Sequence, residues 1–274
     1  MVCTVKFWGV RGSIACPSPE HVVYGGNTSC IAVTTEAGIV VFDAGTGIRS
    51  LGREIIGRGV GHAQLFFTHT HWDHINGFPF FAPAYNPAFR LDIHGPKQEG
   101  SPRGIQHVLT GQMETPNFPV PLAAMRGIVS YEDFEVGSVF SPYDGVTLRT
   151  APLRHPNGAC GYRLETEGVA MAYITDTEHL PGTPDENVLF LMRGADLVIY
   201  DCTYTDEQFP SKVGWGHSTW QEGVRLARAA GVKRLAIFHH DPEHTDVVMA
   251  AIEAEAVQSW DGVVVARDGM EIQL

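Results

Sequence analysis

The first 70 residues alternate short apolar runs with glycine-rich turns, a pattern typical of strands that present side chains where they end. This pattern predicts strands at 5–9, 29–35, 39–42 and 63–68. A helix is predicted over 47–57, where a glycine ends the amphipathic pattern. The run at 63–68, AQLFFT, is almost continuously apolar and therefore predicts a buried strand.

The later part of the chain alternates strand-like and helix-like patterns. Strands are predicted at 146–151, 161–166, 169–175, 196–200, 234–238 and 262–266. Two amphipathic helices are predicted near 219–230 and 243–257. Strands dominate early and alternate with helices later, which favours an α/β (α+β) protein whose two packed sheets are covered by helices. Since no linker is visible, we expect a single domain over 1–274.

The stretch around 78–145 is the least regular part of the pattern. It is rich in proline, glycine and aromatic residues, as in GFPFFAPAYNP and ETPNFPVPL. A loop of this length inside a compact domain is usually functional. We therefore expect a lid insertion around 78–145, with a helix over 105–113.

Composition narrows the class of protein. A hydrophobic content of 44% with 18% charged residues is typical of a folded globular chain. The net charge of −12 argues against affinity based on broad neutralisation of nucleic-acid phosphates. Five scattered cysteines without CxxC spacing argue against a disulfide framework, and no window is apolar enough for a membrane helix. We expect a cytoplasmic protein with no membrane partner.

The densest chemistry, HTHWDH at 69–74, directly follows the predicted strand at 63–68. His69 and His71 lie two positions apart at a strand end, so their imidazoles project to the same side. Imidazoles together with one carboxylate suit zinc, manganese or iron better than calcium or magnesium. One ion would not normally take four ligands from six residues, so the pattern predicts two neighbouring ions.

Further ligand candidates follow other predicted strands. His155 in PLRHPNG, Asp176 in AYITDTE and His239 in LAIFHHDP each stand where an apolar run gives way to turn residues. Side chains at such strand ends commonly form the sites of layered α/β folds. His240 competes with His239 for its role, and strand alternation places the two on opposite sides.

This set of residues resembles that of the metallo-β-lactamase-fold hydrolases, whose HxHxDH signature stands here at 69–74. The resemblance covers nearly the whole chain and implies a four-layer αββα sandwich with two divalent metal ions, zinc first and manganese as the alternative. The ligands that it implies are His69, His71 and His155 for one ion, Asp73, His74 and His239 for the other, and Asp176 as the bridge. It also implies that Asp43, in VVFDAGTG, orients the ligands.

The stretch GWGHST at 214–219 resembles the histidine-serine-threonine motif of the phosphodiesterase branch, best known from tRNase Z. The resemblance implies that His217 is catalytic and that Asp201 orients it, in place of the usual glutamate. A protonated His217 would stabilise the transition state or protonate the leaving oxygen. We also predict that Asp73, besides binding metal, takes part in catalysis. Candidate substrate-binding residues are Asn27, Ser29 and Ser218.

The substrate is predicted from what the chain lacks. In tRNase Z a long arm that grips tRNA lies between the third histidine and the bridging aspartate, whereas His155 and Asp176 are only 21 positions apart. The motifs WGVRGS and YGGNTSC also resemble those of bacterial and phage cyclic-nucleotide phosphodiesterases. We therefore expect a small nucleotide phosphodiester, most plausibly cyclic, attacked by a hydroxide that two metal ions activate. No extended nucleic-acid surface is expected, and the resemblance implies a homodimer.

Three alternatives stay open. A ribonuclease of the tRNA 3′-processing type would use the same motif, and a lactone or thioester hydrolase would use the same metal centre. His217 separates these two, because metal-assisted attack on a carbonyl does not require it. The third alternative is a binding protein that has kept the scaffold and lost the chemistry.

Overall fold

The structure, a computed structural model, describes residues 3–97 and 103–274. Within these ranges the strands are β1 (Thr4–Gly9), β2 (Cys30–Thr34), β3 (Ile39–Phe42), β4 (His62–Phe66), β5 (Arg90–Pro96), β6 (Ile128–Phe134), β7 (Val139–Tyr143), β8 (Val146–Leu153), β9 (Ala159–Thr166), β10 (Val169–Ile174), β11 (Leu197–Asp201), β12 (Leu235–Phe238), β13 (Val263–Val265) and β14 (Glu271–Gln273). The α-helices of the same ranges are α1 (Ile48–Gly57), α2 (Trp72–Ile75), α3 (Ile105–Gln112), α4 (Glu186–Met192), α5 (Trp220–Ala230) and α6 (Asp246–Ser259).

The described strands form two mixed seven-stranded sheets. The first has the order β14-β1-β2-β3-β4-β5-β6 and the second the order β13-β12-β11-β10-β9-β8-β7. Aromatic and aliphatic side chains fill the space between them, with Phe42 of the first sheet in contact with Tyr162 and Tyr173 of the second. The core therefore lies between two apolar sheet faces, as expected for packed sheets.

Helices cover the outer face of each sheet. Apolar residues of α1 and α3 join the cluster behind the first sheet, and those of α4, α5 and α6 join the cluster behind the second. The four layers αββα are those that the resemblance implied, so the predicted fold class is confirmed. In the two described ranges, no helix combines the length and the apolar character that crossing a bilayer requires.

The stretch 78–145 is more regular than the sequence pattern indicated. It contributes β5, β6 and β7 to the edges of the two sheets, besides α3, which matches the predicted helix. Polar residues hide the strand pattern there: Asp92 of β5 accepts hydrogen bonds from Ser130 of β6 and from His62 of β4. The lid stays a prediction for the remaining parts, 78–89 and 103–127, while 98–102 lie outside the described residues.

The direction of the strands explains why the candidate residues can meet. β3 and β4 run parallel, and so do β10, β11 and β12. Two antiparallel pairings through β9 give β8 the same direction as β10. The carboxyl ends of these strands therefore lie along one edge of the sandwich. Residues that directly follow them, far apart in the chain, share that edge.

Candidate metal centre

His69, His71 and His155 form the first group of donors. Their ligand nitrogens lie within 4.8 Å of one another. His155 Nε2 is 3.0 Å from His71 Nδ1, and the His69 ring centroid is 4.4 Å from that of His71 and 4.9 Å from that of His155. The two loops after β4 and β8 thus bring three imidazoles from separate sheets to one point.

Asp73, His74, Asp176 and His239 form the second group, and all four are buried. His74 Nε2 is 3.3 Å from Asp73 Oδ2 and 3.1 Å from Asp176 Oδ2. His239 Nε2 is 3.3 Å from each of the same two oxygens. These donors belong to three different strand ends, as the parallel strands require.

Asp176 lies between the two groups. Its Oδ2 faces His74 and His239, while its Oδ1 is 3.8 Å from His69 Nε2 and 3.6 Å from His155 Nε2. One carboxylate oxygen is therefore available to each group. This is the geometry that a bridging ligand needs.

Unpartnered atoms test whether this cluster fits metal ions. In the described part of the chain, the Nε2 atoms of His69, His74 and His239 are buried and make no hydrogen bond of acceptable geometry, although those of His74 and His239 lie 3.1–3.3 Å from carboxylate oxygens. A buried polar atom without a partner is costly, and native proteins rarely contain one. All three atoms face the carboxylates of the cluster. Imidazole nitrogens and carboxylate oxygens are suitable ligands for zinc or manganese, so the residues present fit divalent cations.

The other nitrogens of the ligand rings are fixed by hydrogen bonds. His74 Nδ1 is 2.8 Å from Asp43 Oδ2, and His155 Nδ1 donates to the carbonyl of Gly216 at 2.8 Å. Asp43 is fully buried and also accepts from the Thr68 backbone N–H at 2.8 Å and from the Tyr173 hydroxyl at 2.9 Å. Such partners set the tautomer and the orientation of metal-binding imidazoles.

Three residues of the site have left-handed backbone. The φ angles are +59° for Asp43, +55° for Asp176 and +60° for His239, each at or just past the end of a strand. This conformation costs an L-residue roughly 1–2 kcal/mol. It is maintained only where surrounding contacts determine it, and it often accompanies functional sites.

His217 lies against the cluster and is held from behind by Asp201. His217 Nδ1 is 2.9 Å from Asp201 Oδ2, and its ring centroid is 4.9 Å from that of His239 and 5.3 Å from that of His155. Burial disfavours a charge on His217, but the hydrogen bond and the negative charge of Asp201 outweigh it. In the protein chain by itself they raise the pKa of His217 to about 9.

His240 faces away from the site. Its ring is fully buried, and Nε2 is 2.9 Å from the carbonyl oxygen of Ala266. Burial lowers the pKa of His240 to about 3, so the ring is neutral. Of these two neighbours, His239 is the one whose Nε2 faces the carboxylates of the cluster, at 3.3 Å from Asp73 and from Asp176.

The candidate substrate-binding residues do not face the site freely. Ser29 and Ser218 are fully buried, and the Ser218 hydroxyl is 2.8 Å from His179 Nδ1 and accepts from the Tyr200 hydroxyl at 3.0 Å. Protein encloses both serines in this structure, and their role in contacting substrate stays a prediction. Asn27 is half-buried, and its amide already bonds to Asp268 Oδ2 at 2.9 Å and accepts from Thr46 Oγ1 at 3.1 Å.

Sequence reasoning missed several residues around the centre. Thr203 Oγ1 is 3.0 Å from Nδ1 of His239, and Glu178 binds the backbone of the loop before His217. Trp72, the first residue of α2, and Trp215, in the loop before His217, are 83% and 61% exposed. The signal for Glu178 was its place two residues after Asp176, and that for the tryptophans was their place between predicted site residues.

Comparison with known proteins agrees with this geometry. A sequence model described as the Beta-lactamase superfamily domain matches residues 39–240. Ribonuclease Z of Haloarcula marismortui is 25% identical over 322 aligned residues, which cover 99% of this chain and 96% of that protein. Ribonuclease Z of Haloferax volcanii is 28% identical over 288 aligned residues, covering 90% and 89%.

Solved structures show the same fold. The metallo-β-lactamase fold protein YhfI from Bacillus subtilis superposes with a TM-score of 0.73 at 17% identity, covering 100% of this chain and 99% of its own. The short form of human tRNase Z superposes with a TM-score of 0.68 at 20% identity, covering 98% of each chain.

The names of the curated relatives correct one expectation. We predicted a small nucleotide substrate and no extended nucleic-acid surface. Proteins that match this chain along nearly its whole length are instead named as ribonucleases. The prediction was wrong because neither the net charge of the whole chain nor the length of one connection describes the surface around the centre.

Proposed function

We propose that this chain, which belongs to the β-lactamase superfamily and is a hydrolase of metallo-β-lactamase fold, is a metal-dependent phosphodiesterase acting on RNA. The resident group is proposed to be two divalent ions, with zinc as the first choice and manganese as the alternative. The pairing of His217 with Asp201 beside the seven candidate ligands supports this proposal most strongly.

The pairing favours phosphoryl chemistry over attack on a carbonyl. Asp201 is fully buried, and it accepts from the Thr177 N–H at 3.1 Å and from the Thr203 hydroxyl at 2.8 Å besides binding His217. It therefore holds the His217 ring with Nδ1 turned inward, and Nε2 remains to meet a substrate. A protonated imidazole in that position can donate to an oxygen of the phosphate or to the leaving oxygen.

The donor residues and Asp43 are proposed to hold the metal ions and to orient them toward the substrate. Divalent ions bound at the centre would neutralise charge on the phosphate and lower the pKa of a water molecule. The two groups of donors would hold those ions side by side, since Asp176 offers one oxygen to each. Asp43 holds His74 in place, and burial of the second group of donors excludes bulk water from them.

Exposed residues around the metal centre, here called the rim, support RNA as the substrate. Exposed aromatic rings such as those of Trp72 and Trp215 can stack on nucleobases of any sequence. Lys212 Nζ lies 4.6 Å from the Trp215 ring centroid, and the exposed Arg154 directly precedes His155. The 322 aligned positions of the Haloarcula comparison exceed this chain's 274 residues by 48, so that relative has segments this chain lacks. We propose that RNA is bound mainly at the rim itself.

The function is tested with the wild type and His217→Ala, each loaded with zinc or manganese. The substrates are a precursor tRNA with a 3′ trailer, bis(p-nitrophenyl) phosphate, a cyclic mononucleotide and a lactone. We expect RNA and phosphodiester cleavage by the wild type, and a rate about 100- to 10,000-fold lower in His217→Ala. Metal content, measured by elemental analysis, should stay equal in both proteins.

His107→Ala, which removes an exposed histidine from α3, is the control and should keep full activity. Hydrolysis of the lactone without any phosphodiester cleavage would overturn the proposed chemistry. Cleavage of the cyclic nucleotide without cleavage of RNA would overturn the proposed substrate. Loss of metal from His217→Ala would show that His217 is a ligand.

A further inference from the structure

Glu178 is a buried carboxylate next to the centre that has no role among the candidate ligands. It lies two residues after Asp176 and is 9% exposed. Its Oε2 accepts hydrogen bonds from two backbone N–H groups, those of Gly214 at 2.7 Å and Gly216 at 2.9 Å. One side-chain oxygen thus binds both glycines that flank Trp215.

The bound segment contacts both parts of the catalytic machinery. The carbonyl oxygen of Gly216 accepts the Nδ1 hydrogen of His155 at 2.8 Å, which turns His155 Nε2 toward His71. His217 follows Gly216 directly in the chain. The position of the Gly216 peptide therefore affects a metal ligand through a hydrogen bond and the catalytic histidine through a covalent bond.

The segment has few other means of holding this conformation. Gly214 and Gly216 have φ angles of +89° and +86°, which side-chain-bearing residues rarely adopt. A Cβ atom on Gly216 would lie 2.3 Å from His155 Nδ1, so the close approach to His155 requires glycine. Neither glycine has a side chain to anchor it, and the Trp215 side chain is mostly exposed. The Trp215 N–H donates locally, to the Lys212 carbonyl at 3.1 Å, whereas the Gly214 and Gly216 N–H groups bind Glu178 and so attach the segment to the strand end after Asp176.

Glu178 is itself tied to the same place. Its backbone N–H donates to the carbonyl of Arg154, the residue before His155, at 2.7 Å. The hydrogen bonds form a closed path from Arg154 through Glu178 and Gly216 back to His155. A shift of any one member changes the orientation of the His155 ring.

We propose that Glu178 is a positioning residue that fixes His155 toward the metal ions and His217 toward the substrate by holding the 214–216 segment. The effect on His217 rests on the proposed function, whereas the effect on His155 does not. Without the carboxylate, two buried N–H groups lose their acceptor and the Gly216 carbonyl is free to move. Partners of this kind, which orient a metal ligand, typically contribute about 10- to 100-fold to metal affinity or activity.

The test compares Glu178→Ala and Glu178→Gln with the wild type. Zinc affinity is measured by competition with a chromophoric chelator, and kcat and KM are measured as a function of pH at saturating metal. We expect Glu178→Ala to bind one of its ions about 10- to 100-fold more weakly. Glu178→Gln should retain most of the affinity, because its amide oxygen can still accept from both N–H groups.

Glu165→Ala is the matched control, since it also removes a carboxylate but lies on β9, where it pairs with Arg149 and Arg163. Its metal affinity should equal that of the wild type. At saturating metal, Glu178→Ala should show a lower kcat and an altered pH profile with little change in KM. If Glu178→Ala does not fold, Glu178→Asp replaces it, because the shorter side chain cannot reach both N–H groups.

Wild-type zinc affinity in Glu178→Ala would overturn the proposal, and so would equal losses in Glu178→Gln and Glu178→Ala. Reduced zinc affinity in a protein that cleaves none of the phosphodiesters would contradict the proposed function and leave the role of Glu178 toward His155 supported. The two proposals therefore fail separately.

Discussion

At the scale of the single residue, Asp268 shows how one carboxylate organises a loop near the centre. Its Oδ2 accepts from the backbone N–H groups of Gly26 and Asn27, both at 3.1 Å, and from the Asn27 side chain at 2.9 Å. Its Oδ1 is buried without a partner. Burial outweighs these hydrogen bonds and raises the pKa of Asp268 from 3.8 to about 6.

This raised pKa predicts a pH-dependent effect of Asp268→Asn. The folded protein binds the proton more tightly than the unfolded chain, so the contribution of Asp268 to stability is complete below pH 3.8 and is lost as the pH rises to about 6. The asparagine cannot ionise. We expect the free energy of unfolding of the variant, relative to the wild type, to rise by up to roughly 3 kcal/mol between about pH 4 and pH 7.

Urea unfolding at a series of pH values measures this difference. Asp261→Asn, which changes an exposed aspartate, is the control and should show a constant difference. A difference between wild type and Asp268→Asn that does not change with pH would show that Asp268 ionises normally.

At the scale of the element, α5 begins three residues after His217, at Trp220, and keeps that loop attached to the second sheet. Thr219 is its N-cap, with Oγ1 accepting from the Glu222 N–H at 3.1 Å and donating to Asp206 Oδ1 at 2.7 Å. Gly231 ends the helix in left-handed conformation at φ +67°. In the histidine-serine-threonine motif, Thr219 therefore caps α5, while His217 lies beside the metal centre.

Thr219→Ala should destabilise the protein by about 1 kcal/mol, because the first turn of α5 loses its capping acceptor. Thr219→Ser keeps the hydroxyl and should retain most of the stability. Chemical unfolding monitored by circular dichroism gives the free energies. The control is Thr245→Ala, since Thr245 caps α6 without any side-chain hydrogen bond. Equal losses in Thr219→Ala and Thr245→Ala would contradict the capping role.

At the scale of the whole molecule, buried tyrosines join the two sheets behind the metal centre. Tyr173 of β10 donates its hydroxyl to Asp43, which follows β3 and holds His74. Tyr162 of β9 donates to the carbonyl oxygen of Phe67, after β4. Both tyrosines are fully buried, so the packing of one sheet against the other affects the positions of the candidate ligands.

Tyr173→Phe and Tyr162→Phe should therefore differ in their effect on metal binding. Loss of a hydrogen bond to the buried Asp43 carboxylate should cost about 1.5–3 kcal/mol, whereas loss of a bond to a neutral carbonyl should cost about 1 kcal/mol. Only Tyr173→Phe should also weaken zinc binding, because Asp43 orients His74. Unfolding free energies and chelator competition measure the two effects. Equal zinc affinities in the two variants would contradict the link through Asp43.

The sequence by itself determined the fold class and predicted the candidate metal donors. HTHWDH at 69–74 places four candidate donors within six residues. His155, Asp176 and His239 follow apolar runs that form strands in the structure. This information is local: side-chain type, spacing and the end of an apolar run are all visible in a short window. The family match and the sheet order confirm the four-layer fold.

Only the tertiary structure decided which neighbours these donors have. It showed that β5, β6 and β7 belong to the sheets, that Ser29 and Ser218 are enclosed, and that His239 rather than His240 faces the centre. It also brought Glu178 to Gly214 and Gly216, 36 and 38 residues away. Such contacts depend on how distant segments pack and on which face of a strand becomes buried, and a short window of sequence contains neither.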